Sequence, residues 1–150
     1  ICQHYRDKPW SLSDSPRTPR SFISKIQSLG ITNLTIHHHL DKSFGALDTN
    51  LRYSALTWVT PDSMSMLYES LTAGSPTAIL DLRPRHKTKL TRVALHIDML
   101  VKDKLITSYQ RWLANPDLEL QTQQTFWEAD RAARWLLEKV LEQDEHRYGE

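Results

Sequence analysis

Glycine is scarce in this chain: there are four among 150 residues, and none forms a G-x-G-x-x-G or a Walker-type phosphate loop. That scarcity argues against a nucleoside triphosphatase and against the usual dinucleotide site, because both need glycines where the backbone closes on phosphate. Cysteine is scarcer still. Cys2 alone cannot close an internal disulfide, which fits a reducing compartment. No run approaches the roughly 18 to 20 apolar residues that span a bilayer, and no charged start followed by a short apolar core marks a leader. Excess charge is missing too. The 19 basic and 18 acidic side chains leave a net charge of +1, without the basic footprint of a nucleic-acid binder. The chain is therefore expected to be soluble and cytoplasmic, to meet a membrane only peripherally through a partner or a further segment, and to bind no nucleic acid.

What is present fits one compact domain with a normal core. The first residue is isoleucine, so the reading is of the C-terminal half of a longer two-domain protein, with an N-terminal domain missing. Pro9–Ser13 reads as a strand and is followed by the polar turn Asp14-Ser15-Pro16-Arg17. Thr18 then suits an N-cap and Pro19 a first helical residue, with Phe22, Ile23, Ile26 and Leu29 as the buried face before Gly30. Further strands are expected at Leu34–His37, Leu56–Thr60 and Thr77–Asp81, with a short helix over Asp48–Ser54. A helix buries Leu90, Val93, Ala94, Ile97 and Val101, and Leu105–Thr107 reads as an edge strand. A last helix, about Gln121 to Glu142, turns Phe126, Ala129, Ala133, Leu136, Leu137 and Val140 inward. Strands alternating with helices predict an α/β class: a Rossmann-like three-layer domain with a mainly parallel sheet of four to six strands and C-terminal helices.

The most informative stretch is Val59 to Leu80, read as strand, polar turn, helix, glycine stop and strand. In the helix between Asp62 and Ala73, Met64, Leu67, Tyr68 and Leu71 fall at i, i+3, i+4 and i+7 and form an apolar stripe. Asp62, Ser65, Glu69 and Thr72 line another side. Small polar residues feeding a helix N-terminus present free amides and a positive dipole end, which suits phosphate. Ligands of open α/β sheets bind at the carboxyl ends of strands. Both polar turns follow strands, and their convergence on one cleft would bring Ser13, Ser15, Arg17 and Thr18 to one side of a ligand. Thr60, Asp62, Ser63, Ser65 and Glu69 would meet the other side. An arginine fork suits a diphosphate, and the Glu69 carboxylate suits a ribose diol. The bland alternative is that Thr18, Asp62 and Ser63 only cap helices.

Other features carry less. Neighbouring strand side chains point to opposite faces, so His37, His38 and His39 cannot all converge on one ion, and no metal or other cofactor is expected. His38 remains a candidate acid or base if its loop folds toward a cleft. His86 and His96 lack a Ser or Cys partner at recognisable spacing. Trp58 reads as core, and Trp112, Trp127 and Trp135 as helix-packing anchors. The basic loop Arg83–Lys89 reads as solvated rather than as a cationic rim.

Two motifs resemble a known family. Ser13-Asp14-Ser15-Pro16-Arg17-Thr18-Pro19 is similar to the Thr-Ser-Arg-Arg-Thr-Pro motif of the mitochondrial-fission "elongated mitochondria" family and its bacterial relatives. Val59-Thr60-Pro61-Asp62-Ser63-Met64-Ser65-Met66 resembles that family's Val-Thr-Ala-Asp-Ser-Val-Ser-Met signature. The family resembles two-domain B-type glycosyltransferases. Glu69 to Pro76 is similar to a Glu-x4-Gly-x-Pro stretch in the donor-binding domain of the N-acetylglucosaminyltransferase of peptidoglycan synthesis. The resemblance implies that Arg17 and Thr18 take the place of the family's Arg-Thr, Asp62 and Ser63 that of the helix-start pair, and Glu69 that of a ribose-contacting glutamate. Pro16 stands where the family has an arginine, and the Asp48–Leu51 region where Asn-Pro-Tyr commonly precedes the third strand. The expected function is binding of a nucleotide diphosphate sugar by a glycosyltransferase-like domain, with catalysis requiring another domain. The alternative, implied by plant relatives that act through a dynamin-related partner, is a non-catalytic protein-interaction module that keeps the fold.

Overall fold

A computed structural model describes residues 1–41, 47–82, 91–116 and 130–139. Contacts divide the chain into two compact units, Ile1–Thr49 and Asn50–Glu150. In the first unit β1 (Trp10–Ser13), α1 (Arg20–Ser28) and β2 (Leu34–His37) form a β-α-β unit in which the strands pair in parallel, Trp10 opposite Leu34 and Ser13 opposite His37. The segment before β1 is tied to the residue before β2: Asn33 Nδ2 donates to the carbonyls of Cys2, Tyr5 and Lys8. Gly30 ends α1 at φ +59°, a left-handed conformation that disfavours a Cβ.

The division falls within α2 (Leu47–Tyr53). The second unit continues with β3 (Thr57–Val59), α3 (Met64–Thr72), β4 (Thr77–Ile79), α4 (Thr91–Lys102), β5 (Thr107–Ser108) and α5 (Tyr109–Ala114). Residues 130–139 are also helical. The sheet order is β3-β4-β5 and both ladders are parallel. Central β4 is wholly buried, as a strand flanked on both edges and covered on its faces must be. Val59, Leu67, Leu71, Ile79, Ile97, Leu100 and Ile106 form the core, with Met64, Met66, Val93, Val101 and Leu105 packed around it. At the amino ends of β3 and β4 the hydroxyls are spent on one another. Thr77 Oγ1 donates to the Ser75 carbonyl at 2.8 Å, so the 2.7 Å contact with buried Ser70 must use the serine's hydrogen.

The class is α/β and Rossmann-like, with every described strand pairing parallel. The strands are distributed over a two-stranded and a three-stranded sheet rather than one sheet of four to six, because β1 and β2 satisfy each other and β3 pairs with β4. The start of α1 also differs from expectation. Thr18 is not its N-cap, since Pro19 holds that position with ψ 134° and no side-chain cap bond. The residue before a proline is pushed out of the helical region, and the Thr18 hydroxyl is used by the preceding turn instead. Of the expected α1 face only Ile23 is buried, while Phe22 and Leu29 are exposed. A two-stranded sheet covers a narrower stripe than a full one. In the helix at 130–139, Ala133, Trp135, Leu136 and Leu137 are exposed rather than turned inward. Phe126, Trp127, Ala129, Val140, Leu90 and the basic loop Arg83–Lys89 lie outside the described residues.

Candidate functional site

The turn after β1 closes on itself. The Ser15 amide donates to Thr18 Oγ1 at 3.0 Å, the Thr18 amide to the Ser15 carbonyl at 2.9 Å, and the Arg17 amide to Ser15 Oγ at 3.3 Å. Ser15 and Thr18 hydroxyls also meet at 3.2 Å. These two residues therefore shape the turn with the polar atoms expected to face a ligand, while Ser13 and Arg17 stay exposed.

Beside this turn lies an arrangement that the sequence reading missed. Asp14, at the carboxyl end of β1, accepts from the His39 amide at 2.6 Å and contacts Nδ1 of His39 and Nδ1 of His38 at 2.8 Å each. The Asp14 side chain is 8% exposed against 60% for His38 and 31% for His39. Donation from the His39 amide, then from the His38 ring, lowers the Asp14 carboxyl from 3.8 to about 2. The cause is register. With Ser13 opposite His37, the residues following each strand emerge side by side. An aspartate in a polar turn and a histidine run after the next strand were the available signals. Among the described residues, no group of three His, Cys, Asp or Glu side chains is arranged to hold a metal.

In the second unit Thr60–Ser63 follows β3, as expected. The Thr60 carbonyl accepts from the Ser63 amide at 3.0 Å, and the Ser63 carbonyl takes the first helical bond from Leu67 at 3.1 Å. Ser63 occupies the N-cap position of α3, but its side chain makes no cap bond. The first amides of α3 thus lack the side-chain acceptor that an N-cap serine ordinarily supplies. Asp62, Ser65 and Glu69 are exposed, whereas Leu67 and Leu71 are buried and Met64 packs on the core. Tyr68 Oη is hydrogen-bonded to His96 Nε2 on α4, which gives His96 a packing partner that no short spacing reveals. Trp58 stacks edge-on against Trp112 and Tyr109, with Trp112 buried. The two polar turns belong to different units.

Among the described residues no helix is long and apolar enough to cross a membrane. The family model described as "Mitochondrial fission ELM1" matches residues 1–140. Comparison with curated proteins and with solved structures found no match.

Proposed function

The chain belongs to the mitochondrial fission ELM1 family, and on that premise we propose that it is a glycosyltransferase-like domain that binds a nucleotide diphosphate sugar. The observation that carries this reading is the α3 start, where a polar turn at the carboxyl end of β3 delivers a helix N-terminus whose serine leaves the first amides uncapped. The diphosphate binds at those amides among the hydroxyls of Thr60, Ser63 and Ser65, and the exposed Asp62 accepts from a hydroxyl of the sugar rather than facing the phosphates. Glu69 lies six residues beyond Ser63, about 9 Å along the helix, on the exposed side it shares with Ser65 at i,i+4. A ribose diol laid along α3 reaches that carboxylate. In the first unit, Arg17 is the exposed cation of the turn after β1, whose Ser15 and Thr18 hydroxyls hold the turn itself while Ser13 stays exposed at the strand end. Binding needs no metal or other cofactor in this scheme, and transfer requires an acceptor-binding domain supplied by a longer protein.

A second reading, a protein-interaction module, is favoured by Trp135, Leu136 and Leu137, which are 59%, 58% and 63% exposed in the helix at 130–139.

A nucleotide thermal-shift screen separates the two. Uridine diphosphate or a uridine diphosphate sugar at about 100 times its Kd stabilises the fold by roughly 2.7 kcal/mol, and Glu69→Ala reduces the shift. Absence of any shift with all common nucleotides at millimolar concentration overturns the binding reading.

A further inference from the structure

The nucleotide reading makes no use of Asp14, His38 and His39, which meet just beyond the carboxyl ends of β1 and β2, and there the chemistry is specific. An ionised carboxylate has lone pairs and no hydrogen to give, so both imidazole Nδ1 atoms that meet Asp14 at 2.8 Å must carry hydrogens. In the neutral rings the other nitrogen, Nε2, is then a bare acceptor. The carboxyl that imposes this tautomer is itself anchored by the His39 amide at 2.6 Å, and its lowered pKa keeps it ionised across the physiological range. The His38 side chain is 60% exposed, and the Asp14 contact at Nδ1 fixes its tautomer and leaves Nε2 as the ring nitrogen open to a ligand. Ser13 lies exposed at the same strand end; its hydroxyl donates to the Asp14 carbonyl at 3.4 Å and so offers a ligand an acceptor.

Such a cluster discriminates between ligands. A phosphate brings negative charge toward an ionised aspartate and finds no free N–H on a neutral His38 ring. A hydroxyl brings the hydrogen that Nε2 lacks. We propose that Asp14, His38 and His39 form a hydroxyl-binding site for a carbohydrate or other polyol, with His38 Nε2 as the atom that accepts the hydroxyl hydrogen. Asp14 and His39 act as positioning residues: the carboxylate sets the His38 tautomer and the His39 amide sets the carboxylate. The inference goes beyond the nucleotide reading and uses the first unit alone.

The test is a long-range proton–nitrogen NMR spectrum of the ring-labelled chain at about pH 8, where an ordinary histidine is neutral. The expected result is an Nδ1-protonated tautomer for His38 and His39, and a saturable shift of His38 Nε2 with methyl glucoside or glycerol that inorganic phosphate does not reproduce. Asp14→Asn removes the tautomer preference and the sugar response. In His38→Gln the saturable, polyol-induced changes of the Asp14 and His39 amide signals disappear, while the His39 ring signals report that the Asp14 contact persists. An Nε2-protonated His38, a larger response to phosphate than to sugar, or no saturable response to either polyol overturns the proposal. Second-unit amide signals on addition of uridine diphosphate answer the nucleotide question separately.

Discussion

At the scale of single residues, hydrogen-bond bookkeeping yields two predictions. The Asp14 carboxyl is depressed from 3.8 to about 2 by the His39 amide and the His38 ring. A depressed folded-state pKa means that the stabilisation is present above about pH 4 and is lost as the pH falls through about 2. The protection factors of the β1 and β2 amides, which correct exchange for its intrinsic pH dependence, should fall across that window in the native chain and change far less with pH in Asp14→Asn. The second prediction concerns Ser70 and Thr77. Ser70 donates to Thr77 Oγ1, which in turn donates to the Ser75 carbonyl. Ser70→Ala removes the donor at the end of that chain and should cost about 0.5–1.5 kcal/mol. Thr77→Val strands a buried serine hydroxyl and a carbonyl together and should cost more, about 1–3 kcal/mol. Denaturant midpoints of the two variants, with an unchanged slope, check the order.

At the scale of elements, the helix ends invite a comparison within one protein. Ser108 caps α5 by accepting from the Arg111 amide at 3.2 Å, whereas Ser63 stands at the same position of α3 and makes no such bond. Ser108→Ala should therefore cost about 0.5–2 kcal/mol, and Ser63→Ala less than about 0.5 kcal/mol. Equal losses in chemical denaturation would refute the uncapped α3 start on which the phosphate reading depends. Gly30 offers a purer backbone test: at φ +59°, a Cβ placed there meets nothing within 4 Å. Gly30→Ala should cost about 1 kcal/mol through conformation alone.

For the whole molecule, burial ranks the consequences of substitution. Leu67 is 1% exposed at the centre of the second core, so Leu67→Ala should cost about 2–5 kcal/mol through lost burial and a residual cavity. Changing Trp135, Leu136 and Leu137 together to polar residues should shift the melting midpoint little, each staying within about 0.5 kcal/mol as surface sites do. A loss comparable to that of Leu67→Ala would show instead that these side chains are covered in solution.

Much of the architecture is written in local pattern. The α3 stripe follows from a 3.6-residue period and β4 from an apolar run between a glycine stop and a polar segment, and both stand within a residue or two of where pattern puts them. Parallel pairing follows from strands alternating with helices. The turn residues were legible as turn formers, but not the use of their hydroxyls: Thr18 serves Ser15 because Pro19 denies it the helix. The Asp14 cluster, the Ser70–Thr77 pair and the Tyr68–His96 contact were hidden. Ser70 and Thr77 are seven residues apart and the others more than twenty. Their meeting depends on strand register and on which faces of α3 and α4 pack together. Period and capping preference act over one turn of helix or one pleat of strand, so they specify elements. Register and packing act across the chain, and they decide which polar atoms meet, which are consumed, and which remain for a ligand.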